Sequence, residues 1–225
     1  MVFLRSMQLI REIIHLFRKD VLLEFRSSYA ISGILLYVFS TIFIIYTSFV
    51  DISTPVWNVL FWIIMLFTSI NAIVKSFVQE SNNRQLYYYV LANPTALILA
   101  KILYNILLLL ILSGLIWLSF SFVAGNPVIR TGQFVMAIFL GSVGFSITFT
   151  FVAAISAKAD NNATLMAILS FPLIIPILMT LIKLSASAVG LVQDTGLGQD
   201  ILILVAIDMI LIAMTFVLYP FLWRD

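Results

Sequence analysis

Hydrophobic positions along this chain form long unbroken blocks rather than the short alternations of a soluble fold. Residues 27–50, 52–74, 102–129, 131–157 and 161–182 contain no Asp, Glu, Lys or Arg. Each block exceeds the roughly 20 apolar residues that carry a helix across a bilayer core of about 30 Å. A further block, 201–223, is broken by a single charge, Asp208. The pattern predicts an all-α membrane protein with six transmembrane helices, forming one membrane domain over 27–225.

The first 26 residues follow a different rule. Phe3, Met7, Ile10, Ile14, Phe17, Val21 and Phe25 recur at three- and four-residue steps, while Arg5, Glu12, His15, Arg18 and Lys19 fall between them. That spacing gathers the apolar side chains on one face of a helix. Residues 1–26 are therefore expected to form an amphipathic helix lying in the membrane interface before the chain turns inward. The alternative is a cytosolic helix packed on a partner. Five Arg/Lys and three acids, with no short apolar core ending in a small-residue site, do not describe a cleavable signal peptide.

Charge then orients the spans. With a cytoplasmic N-terminus, the inner segments hold Arg5, Arg11, Arg18, Lys19, Arg26, Lys75, Arg84, Lys101, Lys158 and Arg224, and the outer ones only Arg130 and Lys183. Basic residues concentrate on the cytoplasmic side of membrane proteins, so both termini are expected there, in the cytoplasmic (inner) membrane of a cell. Overall, 63% of residues are hydrophobic and 10% charged, against about a quarter charged in a soluble domain. A net charge of +2 gives no indication of nucleic acid.

Candidate chemistry is sparse. The absence of cysteine removes disulfides, iron–sulfur ligation, thiolate nucleophiles and covalent haem attachment. The single histidine, His15, lies on the polar side of the first helix, and no H-E-x-x-H occurs. There is no G-x-x-x-x-G-K-[ST] phosphate loop, and "GLVQDTGLG" (190–198) reads as an outer loop. No catalytic, metal or tightly held cofactor site is expected, and the chain is not read as an enzyme.

Interruptions of the apolar blocks carry the remaining information. Pro172 and Pro176, in "LSFPLIIPILM", should kink or partly unwind the fifth span, because each proline removes a backbone donor. The freed carbonyls would then need neighbouring helices or a water-lined cavity, unless the pair is only a packing kink. The fourth span holds Gly132, Gly141, Gly144, Ser142, Ser146, Thr148 and Thr150. Small residues let helix backbones approach, so this span is expected at a subunit seam or pathway. Asp208 is an intramembrane acid, which by default marks a function. A structural partner, a shallow position near the helix start, or a protonated carboxyl are its alternatives. Scattered Met136, Met166, Met179, Met209 and Met214 read as lipid-facing filler rather than iron ligands.

The longest polar stretch between spans is "SFVQESNNRQLYYYVLANP", residues 76–94. Glu80, Asn82, Asn83 and Arg84 can hydrogen-bond a soluble partner, whereas Leu86, Tyr89 and Val90 form a small apolar stripe at helical spacing. Pro94 ends that element and re-aims the chain. The bland alternative is a solvated loop.

Together with "LANPTALILAKIL" (91–103), "LSFPLIIPILM" (169–179) and "FLGSVGFSITFTFVAAIS" (139–156), these features resemble the CcmB family of membrane permeases. The resemblance covers nearly the whole length. It implies an ABC-2-type permease of the cytochrome c maturation transporter, with residues 76–94 as the cytoplasmic segment that couples to an ATPase. It further implies two permease copies in the bilayer with the ATPase CcmA, the haem-handling CcmC, the small subunit CcmD and the haem chaperone CcmE. ATP would be hydrolysed on the partner subunit, and haem would be handled by the complex. Because no histidine lies in any span, a conformational machine fits better than a haem-binding channel. Two rivals remain: a permease of a related ABC exporter of lipid or drug, and a non-transporting assembly scaffold.

The topology is directly testable. Reporters fused after Asp51, Arg130 or Gln193 are expected to read as extracytoplasmic, and those after Asn83, Asp160 or Asp225 as cytoplasmic. A cytoplasmic signal at Gln193 would rule out the six-span arrangement.

Overall fold

The computed structural model of the chain describes residues 2–26, 28–78, 93–156, 162–192 and 196–222. Its helices are α1 (Val2–Arg26), α2 (Ser28–Ser48), α3 (Thr54–Val78), α4 (Pro94–Ala124), α5 (Thr131–Ser156), α6 (Asn162–Ala188) and α7 (Leu197–Leu222). No strand occurs among the described residues. The chain is thus an all-α membrane protein. Five helices are long and apolar enough to cross a bilayer: α3 over Thr54–Val74, α4, α5, α6 over Ile168–Ala188 and α7 over Leu197–Tyr219. In α2 the described apolar run is shorter, Ser32–Ser48.

Several helices extend past the charges that bound the apolar blocks, and local chemistry explains where they stop. At the start of α4, the Asn93 side chain accepts a hydrogen bond from the Thr95 amide (3.1 Å), and Pro94 occupies the first turn where no amide is needed. Gly125 ends the same helix at φ 78°. The last turn of α6 closes with Leu191 N donating to Ala186 O (2.9 Å) and Gly190 N to Ser187 O (3.3 Å). This pairing needs the left-handed Gly190 at φ 76°. Lys101, Lys183 and Asp200 lie inside helices because each has an ionic partner: Lys101 with Asp20, and Lys183 with Asp200 at 2.8 Å.

The bundle is built around α5, which packs against α3, α4, α6 and α7, while α2 lies outside against α3 and α4. The expected packing role of this helix holds, but its small residues serve contacts within the chain. Gly141 lies beneath Trp62 and Leu181, and Gly144 beneath Asp208 and Ile177. A Cβ on Gly141 would sit 2.8 Å from Trp62 Cζ3, closer than carbon atoms approach. Ser142, Ser146, Thr148 and Thr150 are all buried. At the end of the bundle away from Asn93, Trp57 stacks on Phe61 and Phe120 with centroids 5.8 and 5.2 Å apart. Phe134 of α5 closes the group against Trp57, Phe61 and Trp117.

The close approach at Gly141 has a measurable cost when filled. Gly141→Ala is expected to destabilise the purified protein by about 1–3 kcal/mol in detergent thermal unfolding, because Trp62 is held by its own hydrogen bond to Ser185. Gly132→Ala, where nothing lies within 4 Å, should be neutral or stabilising. Equal effects of the two would show that the α3–α5 contact is not limiting.

Candidate functional site

The polar stretch 76–94 meets the bundle at Asn93, where three helix-borne acids converge on α4. Glu12 Oε1 accepts a hydrogen bond from the Asn93 backbone amide (2.8 Å). Asp20 lies 3.6 Å from Lys101 Nζ and 3.1 Å from Lys19 Nζ. Tyr104 donates its hydroxyl to Glu24 Oε2 (2.7 Å). Glu12, Asp20 and Glu24 recur at multiples of four, so they share one face of α1. Their partners climb α4 in the same order, so α1 and the start of α4 run side by side in the same direction for roughly 16–18 Å.

Burial gives these contacts weight. Asp20 and Lys101 have side chains only 7% and 5% exposed. Two ions withdrawn from water need each other and further hydrogen bonds, and removal of one partner strands the other. The Asn93 amide is one of the first groups of α4, without a partner inside its own helix. Glu12 satisfies it, and places a carboxylate where the helix dipole favours negative charge.

The predicted coupling residues Glu80, Arg84, Leu86, Tyr89 and Val90 lie outside the described residues, and Pro94 stands in the first turn of α4. Helix α6 runs unbroken through Pro172 and Pro176. Both prolines are exposed on its outer side, beside Phe171, Ile175 and Met179. The pair therefore faces outward from this chain's bundle instead of lining an interior pathway, and no unwound segment occurs there.

Asp208 is the twelfth residue of α7, about 17 Å from the helix start, and packs at Gly144, near the middle of α5. That is not a shallow position. The residue is 5% exposed, and its Oδ1 has no hydrogen-bond partner among the described residues. Met136, Met179, Met209 and Met214 are exposed on the outside of the bundle, as filler would be. Among the described residues, no three His, Asp or Glu side chains are grouped to hold a metal ion.

A model of the CcmB protein family matches residues 11–223. The chain belongs to the CcmB family. Membership associates it with the Ccm haem-export system and the other components of that system. Nothing among curated proteins matches the chain.

Two polar groupings of this CcmB-family chain escape a sequence reading. Asn58 donates to Ile182 O (2.9 Å), Trp62 Nε1 donates to Ser185 Oγ (2.7 Å), and Ser185 Oγ lies 2.8 Å from Asn58 Oδ1. This buried clasp joins α3 to α6. Its one sequence signal is Asn58, one of two amides in the uncharged block 52–74, of the kind that bridges helices in lipid. The second is the α1–α4 junction, where Lys101 acts as a buried partner and not as a boundary charge.

Lys101→Met should loosen α1 from α4 and cost about 3–5 kcal/mol, because Asp20 remains buried after losing one of its two cations. The double change Asp20→Asn with Lys101→Met should recover much of that loss. Thermal unfolding in detergent, with tryptic cleavage after Arg18 or Lys19 as a local readout, checks both. A Lys101→Met protein cleaved and unfolded like wild type would show the pair to be inconsequential.

Proposed function

We propose that the chain is the permease subunit of an ABC transporter complex for cytochrome c-type biogenesis. In this reading it couples ATP hydrolysis by a partner ATPase to haem delivery or release of the haem chaperone. The observation that carries the proposal is the CcmB family match across residues 11–223, joined to a bundle with five long apolar helices. The sixth span is α2, whose 21 residues reach about 31 Å, enough for a bilayer core. Helix α1 lies at the cytoplasmic interface, and both termini face the cytoplasm of the inner membrane.

Residues 76–94 are proposed as the segment that docks on the ATPase. The geometry at its exit supports such a role. Asn93 is bonded to Glu12, and the next turns of α4 hold Asp20 and Glu24 through Lys101 and Tyr104. A pull on the docking segment would therefore reach α1 and α4 together. The ATPase is CcmA, with CcmC, CcmD and CcmE as further partners and two permease copies in the complex. The chain itself has no catalytic role, and ATP is split on the partner. Its spans and outer loops contain neither His nor Cys, which favours a conformational role over ligation of haem by this subunit.

The docking assignment is tested by replacing Leu86 and Tyr89 together with Asp. Two unpaired carboxylates at a docking surface cost several kcal/mol, enough for about a hundredfold or greater loss of affinity. Co-purification of the ATPase with wild-type and double-Asp permease, at matched expression, is the measurement. Wild-type recovery of the ATPase by the double mutant would reduce the stretch to a loop.

A further inference from the structure

Charge on α1 is sorted by the fold. Over residues 9–24 the helix carries Arg11, Arg18 and Lys19 against Glu12, Asp20 and Glu24, so its sequence alone reads as neutral. The three acids are all drawn to one side: Glu12 bonds Asn93, Asp20 pairs with Lys101 and Lys19, and Glu24 accepts from Tyr104. What remains on the outer side is basic and apolar. Arg11, His15 and Arg18 are exposed, and Ile10, Ile14 and Leu22 are 56%, 58% and 60% exposed. At 100° per residue, Ile10 and Ile14 form a stripe directly beside Arg18 and Arg11.

Depth sets what this outer face meets. Helix α4 has 31 residues and so is about 46 Å long, close to the full bilayer thickness of about 40–45 Å including both headgroup layers. Its first turn therefore lies at headgroup level, and α1 starts beside it at Asn93 and follows α4 inward as far as Tyr104. Arg11 lies level with Asn93 in that layer, and Arg18, about 10 Å further along α1, reaches back toward it with its long side chain, as basic residues near a membrane boundary do. Ile10 and Ile14 give this face an apolar edge beside the two arginines, the pairing of an interfacial helix.

We propose that the outer face of α1 binds anionic phospholipid headgroups, with Arg11 and Arg18 as the phosphate-binding residues and Ile10 and Ile14 set into the acyl boundary. The proposal rests on the interfacial placement of α1 given above, and adds to it the sign of the lipid. Pairing of the acids with α4 is what makes the surface cationic, so docking of α1 and lipid recognition are linked.

The test uses the full chain in neutral detergent, titrated with phosphatidylglycerol or phosphatidylcholine. Binding is read from the rise in thermal unfolding temperature. Phosphatidylglycerol should stabilise the wild type at lower concentration than phosphatidylcholine, and added salt should weaken the difference. Arg11→Gln with Arg18→Gln should lower affinity for phosphatidylglycerol about thirtyfold, some fivefold per charge. Arg11→Lys with Arg18→Lys should retain most of it. Equal response to the two lipids, or an unchanged response in the double-Gln protein, would overturn the proposal.

Because the chain lacks cysteine, a polarity-sensitive dye on Ile14→Cys reports the placement of α1 separately. An apolar signal in both lipids, with equal affinities, would leave the interfacial helix standing and overturn only the anionic preference. A water-like signal in reconstituted bilayers would overturn both, and would point to an acidic protein surface as the occupant. Neither result bears on ATPase co-purification, so failure here is distinguishable from failure of the transporter assignment.

Discussion

The close approach of α5 to its neighbours is the contact on which the rest of the bundle depends. Gly141 and Gly144 lie under Trp62, Leu181, Ile177 and Asp208, with no room for a Cβ at either position. In lipid there is no hydrophobic gain from bringing two apolar helices together, so intimate packing and internal hydrogen bonds hold the spans. With α5 this close, Trp62 can reach Ser185 and complete the Asn58 clasp between α3 and α6. A wider spacing would separate the donor from its acceptor, and each buried polar group would then lack water to replace its partner.

The same constraint governs which charges can enter the bundle. Lys101 is admitted because Asp20 comes to it from α1, and Asp200 because the exposed Lys183 comes to it from α6. Asp208 is the contrasting case, a buried acid whose Oδ1 faces the close-packed seam between α5 and α7 without a hydrogen-bond partner. Retention of such a group at bilayer depth is costly. Among the described residues, no hydrogen bond to Oδ1 offsets that cost.

Legibility in the sequence followed the range of the interactions. Charge-free blocks located the long apolar helices, since span length depends only on local composition. The amphipathic period of α1 and the start of α4 at Pro94 were equally local. The helices run on through Lys101, Lys183 and Asp200, past the charge-free blocks, and the partners of these charges lie on other helices. The Glu12–Asn93 and Tyr104–Glu24 bonds span 81 and 80 positions, and no periodicity within either segment announces them. Pro172 and Pro176, whose missing donors lead one to expect a kink or partial unwinding, stand inside a continuous helix. Proline identity implies a missing donor, but the side of the helix it faces depends on which residues of α6 the other helices cover. The coupling assignment of 76–94 came from polarity and family resemblance, and Pro94 alone among its singled-out residues has a described place in the structure.

Helix α4 is where these local and distant features meet. Lys101 and Tyr104 turn toward α1, while the Ile102 carbonyl accepts from Ser146 of α5 (2.9 Å) and Asn105 donates to Thr150 of α5 (2.8 Å). Within five residues the helix is thus bonded on two sides. Hydrogen bonds of this kind have no competing water in the bundle, so they restrain sliding between helices as well as adding stability. A displacement of α4 along its axis would have to break them or carry both neighbours with it. Since α4 begins immediately after Asn93, the polar stretch is joined to a helix already gripped on one side by α1 and on the other by the central α5. The junction at residues 101–105 therefore connects the edge of the bundle to its core through paired polar groups, two facing α1 and two facing α5.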